Sequence, residues 1–154
     1  MIKILRGSVV VMMTVFLFSG TAMAEEQFGL GVTVGVPTGV NGKYFLDKYN
    51  ALDGGFGWSP DSDHDFHIYA DYLYHFYSLI DSADGKTPLY IGVGTRAVFR
   101  HHQDNKAGFR FPLGVEHLFK SAPFGVFAEI VPIFNVSPNA RFNLEGVVGA
   151  RFYF

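Results

Sequence analysis

The sequence predicts an all-β fold: an eight-stranded antiparallel up-and-down transmembrane β-barrel, preceded by a cleavable signal peptide. Three observations carry this expectation. The chain ends in N-L-E-G-V-V-G-A-R-F-Y-F, with apolar and polar residues alternating through to Phe154. The last residues of a water-soluble domain ordinarily fray and carry little pattern. Along the predicted strands, ionisable residues keep almost entirely to one parity. The opposite end of the chain reads as a secretory leader.

That leader spans residues 1–24. Lys3 and Arg6 make a basic start, an apolar run extends from Gly7 to Phe18, and Ala22 and Ala24 form an A-x-A cleavage site. A membrane helix needs ~20 apolar residues, and this run is shorter. Cleavage leaves residues 25–154 as a single outer-membrane β-barrel domain. Loss of Lys3 and Arg6 makes that domain more acidic than the precursor, whose formal charge is −2. The domain has no basic stripe, which argues against a nucleic-acid partner. The chain has 0 cysteines, so neither a lipoprotein anchor nor a disulfide scaffold is available.

Period-two alternation then marks eight segments. Residues 28–36 put Phe28, Leu30, Val32, Val34 and Val36 on one face and glycines on the other. In 39–47, Val40, Tyr44 and Leu46 oppose Lys43; in 51–59, Leu52, Phe56 and Trp58 oppose Asp53. In 65–77, Phe66, Ile68, Tyr72, Tyr74 and Phe76 oppose Asp71. In 87–100, Leu89, Ile91, Val93 and Phe99 oppose Arg96. Residues 107–119 set Phe109, Phe111, Leu113 and Val115 against Arg110 and Glu116. Residues 124–136 set Phe124, Val126, Ile130 and Phe134 against Glu129. The last segment, 140–154, sets Leu144, Val148, Ala150, Phe152 and Phe154 against Glu145 and Arg151. Turn residues separate the segments: P-T-G at 37–39, S-P-D-S-D at 59–63, D-S-A-D-G at 81–85, H-H-Q-D-N at 101–105 and S-P-N at 137–139. Pro112 and Pro132 fall inside predicted strands and cannot donate to a ladder, so a bulge is expected at each.

Alternation alone does not say which face is outside. Three features point the apolar face toward lipid. Charged residues of both signs stand singly among glycines and aromatics, as a narrow lumen requires. Aromatics recur near segment ends, where interfacial girdles form. The segments match the ~9–11 residues a tilted strand needs to cross a bilayer, and a closed barrel is the one sheet that satisfies its backbone in lipid. The interior of an eight-stranded barrel is just filled by side chains. Lys43, Asp53, Asp71, Arg96, Arg110, Glu116, Glu129, Glu145 and Arg151 are therefore expected to form a structural charge network that plugs the lumen.

Candidate catalytic and metal groups are few. His117 lies on the lipid-facing parity near a strand end, but no Ser stands two residues away. His67, Asp71 and His75 share one inward parity and could form an acid–base string, yet no nucleophile is paired with them in sequence. Asp61, Asp63 and Asp65 alternate like the start of a calcium loop. Phe66 stands where that loop needs Gly, and Tyr72 where it needs the bidentate Glu. The expectation is no catalytic site, no metal and no cofactor. The loops 61–67 and 101–105 fall on one rim, where contact with a cation or with lipopolysaccharide is the open alternative.

The terminal Phe154, with Phe152, Ala150 and Val148 at alternate positions before it, resembles the C-terminal assembly signal of bacterial outer-membrane proteins. G-V-P-T-G-V-N-G-K-Y (35–44), A-D-Y-L-Y-H (70–75), G-V-G-T-R (92–96), F-R-F-P-L-G-V-E (109–116), F-A-E-I-V-P (127–132) and G-A-R-F-Y-F (149–154) extend the likeness. Together they resemble a family of small uncharacterised bacterial outer-membrane β-barrels, similar in fold to the OmpA transmembrane domain. The resemblance implies a bacterial outer-membrane location, membrane lipids and lipopolysaccharide as surroundings, and recognition by the barrel assembly machinery. The expected function is a monomeric, non-enzymatic barrel with a structural role in the envelope. The rival expectations are a lipid-A-modifying enzyme of deacylase or acyltransferase type, and a soluble lipocalin-like barrel.

Overall fold

The computed structural model describes residues 27–60 and 64–154. The predicted leader, Asp61 and Asp63 lie outside the described residues. Ten strands follow in order: β1 (Phe28–Gly35), β2 (Thr38–Phe45), β3 (Asn50–Trp58), β4 (Phe66–Phe76), β5 (Gly85–Lys86), β6 (Leu89–Phe99), β7 (Lys106–Arg110), β8 (Leu113–Phe119), β9 (Phe124–Ser137) and β10 (Arg141–Tyr153).

The sheet closes on itself as an antiparallel ring. β1 pairs with β2 on one side and with β10 on the other, from Gly29↔Tyr153 to Gly35↔Val147. The last residue takes part: the Phe154 amide donates to the Phe28 carbonyl at 2.7 Å, and the two rings lie 6.2 Å apart. The ring has eight places because β7 and β8 share one, between β6 and β9. β5 prolongs the β6 edge below Pro88 and pairs with the end of β8. The β2–β3, β4–β6 and β8–β9 connections share a rim with residues 28 and 154 (the terminal rim). The other four connections form the opposite rim.

The segment 107–119, predicted as one strand, is divided at Phe111–Pro112, and the expected bulges are not there. Arg110 faces Ile133 and Leu113 faces Ile130, which leaves two residues on each strand between those pairs. Register therefore runs straight through both prolines. Each keeps half of a hydrogen-bonded pair: Gly92 N–H donates to Pro112 O, and Phe111 N–H donates to Pro132 O, both at 2.9 Å. The returning bond is missing because proline has no N–H. The register shift of this strand lies instead between Ala107 and Gly108, close to the rim.

The two faces have inverted polarity. Large apolar side chains point outward on every long strand, including Val34 at 63% exposure, Ile130 at 55% and Leu144 at 64%. Inside are Thr33, Asn41, Lys43, Asp53, His67, Asp71, His75, Arg96, Arg110, Glu116, Glu129, Asn135 and Arg151, all buried. An apolar surface that is continuous around the molecule far exceeds the scattered exposed leucines of a soluble domain. A small apolar cluster of Ala51, Leu73 and Tyr90, with Phe45 packed on it, closes the lumen near the terminal rim.

Candidate functional site: the ionic lumen

Period-two geometry brings the inward residues of all eight ring positions to one axis. Glycines leave room for the large ones. A Cβ at Gly149 would stand 2.5 Å from the Phe127 ring, its cross-strand neighbour, and one at Gly114 would overlap Tyr90 in the same way.

Nearest the terminal rim, Glu116 gathers three donors. Lys43 Nζ lies at 2.5 Å, Arg151 Nη1 at 3.0 Å, and the Tyr153 hydroxyl also donates to it. Arg151 reaches on to Asp53 at 2.6 Å and donates through Nε to Asn41. The Asn41 amide in turn donates to Asp53 at 2.5 Å and to the Tyr69 oxygen at 2.8 Å. Aromatic faces cover the cations: Arg151 sits 3.7 Å above Phe127, and Lys43 lies 4.9 Å from both Phe45 and Tyr90.

At mid-height Arg110 donates through Nε to both oxygens of Asp71 at 3.0 Å, and through Nη2 to Glu129 at 3.4 Å. Tyr69 stacks under its guanidinium at 3.9 Å, while the Tyr90 hydroxyl donates to Glu129 at 2.7 Å. Toward the opposite rim, Arg96 donates to Glu145 and, at 3.1 Å, to the Asn135 oxygen. All nine residues of the predicted network thus line the lumen, and each makes at least one ion pair.

Charges removed from water at this depth need such partners. Burial of a single ion costs several kcal/mol, and loss of one member of a buried pair costs ~3–5 kcal/mol because the survivor is stranded. Lys43 and Glu116 are both 0% exposed and Arg151 is 1% exposed, so solvent is excluded from the lower lumen.

The other candidate groups are spread apart. Asp71 is held by Arg110, so it does not link His67 to His75. His67 Nε2 instead meets Ser59 Oγ at 2.6 Å, and His75 Nδ1 meets the Tyr49 carbonyl at 3.0 Å. His117 is half-buried on the outer parity and bonds Thr87 Oγ1 through Nδ1 at 2.8 Å. Asp65 lies 3.7 Å from Arg100 Nε at the rim. Among the described residues no group of three His, Cys, Asp or Glu is placed to hold a metal. Sequence reasoning missed Asn41, Tyr69, Tyr90, Asn135 and Tyr153 as members of the network. All five share the inward parity, but uncharged residues at such positions do not announce themselves as ionic partners.

No protein-family model and no curated protein matches the chain. The structure is similar to the N-terminal β-barrel domain of Pseudomonas aeruginosa OprF, with a TM-score of 0.65 and 15% sequence identity. The match covers 84% of this chain and 98% of that one. The fold is therefore that of the OprF N-terminal β-barrel domain.

Proposed function

We propose that the mature chain is a non-enzymatic barrel of the bacterial outer membrane, exported by its leader and monomeric, whose plugged lumen gives it a structural role in the envelope. The inverted polarity carries this reading: an apolar exterior on all sides encloses a lumen of ion pairs. In water that arrangement would expose most of the large apolar side chains, and in a bilayer it places them in acyl chains. The soluble lipocalin-like alternative requires the reverse. For the enzymatic alternative, the hydroxyl that meets His117 is that of Thr87 rather than of a serine. Membrane lipids and lipopolysaccharide are the proposed surroundings, and nucleic acid is not a proposed partner. Phe154, Phe152, Ala150 and Val148 are the proposed assembly signal read by the barrel machinery.

The test combines three measurements. The protein should fractionate with outer membranes and migrate faster on a gel unheated than boiled. In planar bilayers it should give no stable porin-sized conductance. Recovery in the soluble periplasmic fraction would reject the membrane reading; frequent large openings would reject the plugged lumen.

A further inference from the structure

The apolar outer wall carries a groove of about 560 Å³ that crosses five neighbouring strands. Its floor is one cross-strand row, Val34, Val148, Ala128, Val115 and Leu89, each paired with the next. Val34 lies one residue from the end of β1 at the opposite rim, and Leu89 opens β6 on the terminal-rim side. The row therefore runs obliquely down the wall, as strand tilt requires. Gly146 borders it and faces outward, and a Cβ there would meet only the Glu129 carbonyl oxygen, at 3.8 Å. Packing within the barrel does not demand glycine at that place, unlike at Gly149 or Gly114. Glycine inside a strand weakens it and often marks the close approach of a ligand. Glu129 also borders the groove, but its carboxylate is spent in the lumen on Tyr90 and Arg110.

A polar pair stands at the lower end of the groove. His117 lies two residues beyond Val115 on the same outward parity, half-buried, with Nδ1 at 2.8 Å from Thr87 Oγ1. With Thr87 donating to Nδ1, the ring proton sits on Nε2 and faces an acceptor at the level of the terminal rim. Four interstrand spacings of ~4.8 Å make the floor about 19 Å long. One leaflet is half of the ~30 Å hydrocarbon core, so the floor can take the length of a single lipid tail. A second barrel is convex and would touch this wall along a line, leaving the groove unfilled. A flexible hydrocarbon chain fills it and recovers the dispersion contacts that an empty groove forfeits. We infer that the groove holds one acyl chain of a phospholipid, whose phosphate accepts a hydrogen bond from His117 Nε2. A cis double bond would bend the chain off the straight row, so the site prefers saturated tails. This inference rests on the membrane reading above, since acyl chains reach the wall only in a bilayer.

The test uses the barrel in phosphatidylcholine vesicles above the melting temperature of every lipid present, with heat-modifiable gel migration confirming that each variant is folded. Phe124→Trp places a fluorophore four residues from Ala128 on the same face of β9. Leu52→Trp places one diametrically across the ring on β3, and both are made in a Trp58→Phe background. A phosphatidylcholine with a spin-labelled saturated chain quenches them, and unlabelled dipalmitoyl or dioleoyl phosphatidylcholine competes. Beside the groove, the dipalmitoyl lipid should displace the quencher about threefold more effectively than the dioleoyl lipid; on β3 the two should be equal. Ala128→Leu, which fills the floor, should abolish the preference, and His117→Phe should weaken binding of the quencher about threefold. Quenching of neither fluorophore would sink the membrane reading and this site together. Quenching of both without a chain preference, or a preference that survives Ala128→Leu, would overturn the groove alone. Binding unchanged by His117→Phe would overturn the phosphate contact. Shielding of the β9 fluorophore from every lipid, while the β3 fluorophore is quenched, would put a second barrel on this wall and overturn the acyl site.

Discussion

Glu116, Asp53 and Glu129 are each held by more than one donor, so removal of any of them strands more than one partner. Glu129 accepts from Tyr90 and Arg110, and Arg110 also depends on Asp71. Glu129→Ala should therefore lower stability by ~3–5 kcal/mol, whereas Gln103→Ala, in an exposed loop, should stay within about ±0.5 kcal/mol. Urea unfolding in lipid vesicles measures both, and equal profiles would count against the network. Asp47 works by local hydrogen bonding in a turn. Its carboxylate accepts from the Asn50 side chain at 2.8 and 3.0 Å and from the amides of Tyr49 and Asn50 at 2.7 and 2.9 Å. The Asn50 side chain first, then the two amides, hold its pKa below the ordinary value. A carboxyl lowered on folding adds stability that is full above the unfolded pKa of ~3.9 and is lost as pH falls through the folded value. Amide protection at Tyr49 and Asn50 should accordingly drop in acid, and Asp47→Asn should remove that dependence.

At the scale of the strand, parity was readable and pairing was not. Each ionic residue declared its face because a one-residue slip would carry it to the apolar outer face. Which cation meets which carboxylate depends on strand tilt and stagger around the ring: Lys43 and Glu116 meet on opposite walls, far apart in sequence. The prolines were misread for a related reason. Loss of one donor suggested a bulge, yet a strand paired on both sides keeps its register when the neighbouring bonds hold it. Pro112 and Pro132 show this, each keeping one bond at 2.9 Å. The two-residue β5, an edge continuation below Pro88, was likewise invisible in a segment rich in turn residues. Pro112→Ala should restore a donor facing Gly92 without moving the register. Hydrogen exchange would then detect a protected amide at position 112, and a register shift in the neighbouring Leu113↔Ile130 pair would disprove the account.

For the whole molecule, the decisive energy is that of the outer face against its surroundings. Ile130 stands mid-way along β9, points outward and is 55% exposed. In water an arginine there would be harmless, since exposed substitutions shift stability by no more than about 0.5 kcal/mol. In a bilayer the same side chain near the midplane costs ~2–4 kcal/mol, and near an interface only ~0–1 kcal/mol. Ile130→Arg and Phe152→Arg, the latter one residue pair from the terminal rim, therefore form a depth gauge. Both residues face outward on long strands, so local propensity does not distinguish them. If acyl chains surround the barrel, urea unfolding in vesicles should rank Ile130→Arg well below Phe152→Arg. Equal and negligible losses at both positions would place the exterior in water and remove the basis for reading the ionic lumen as a membrane device.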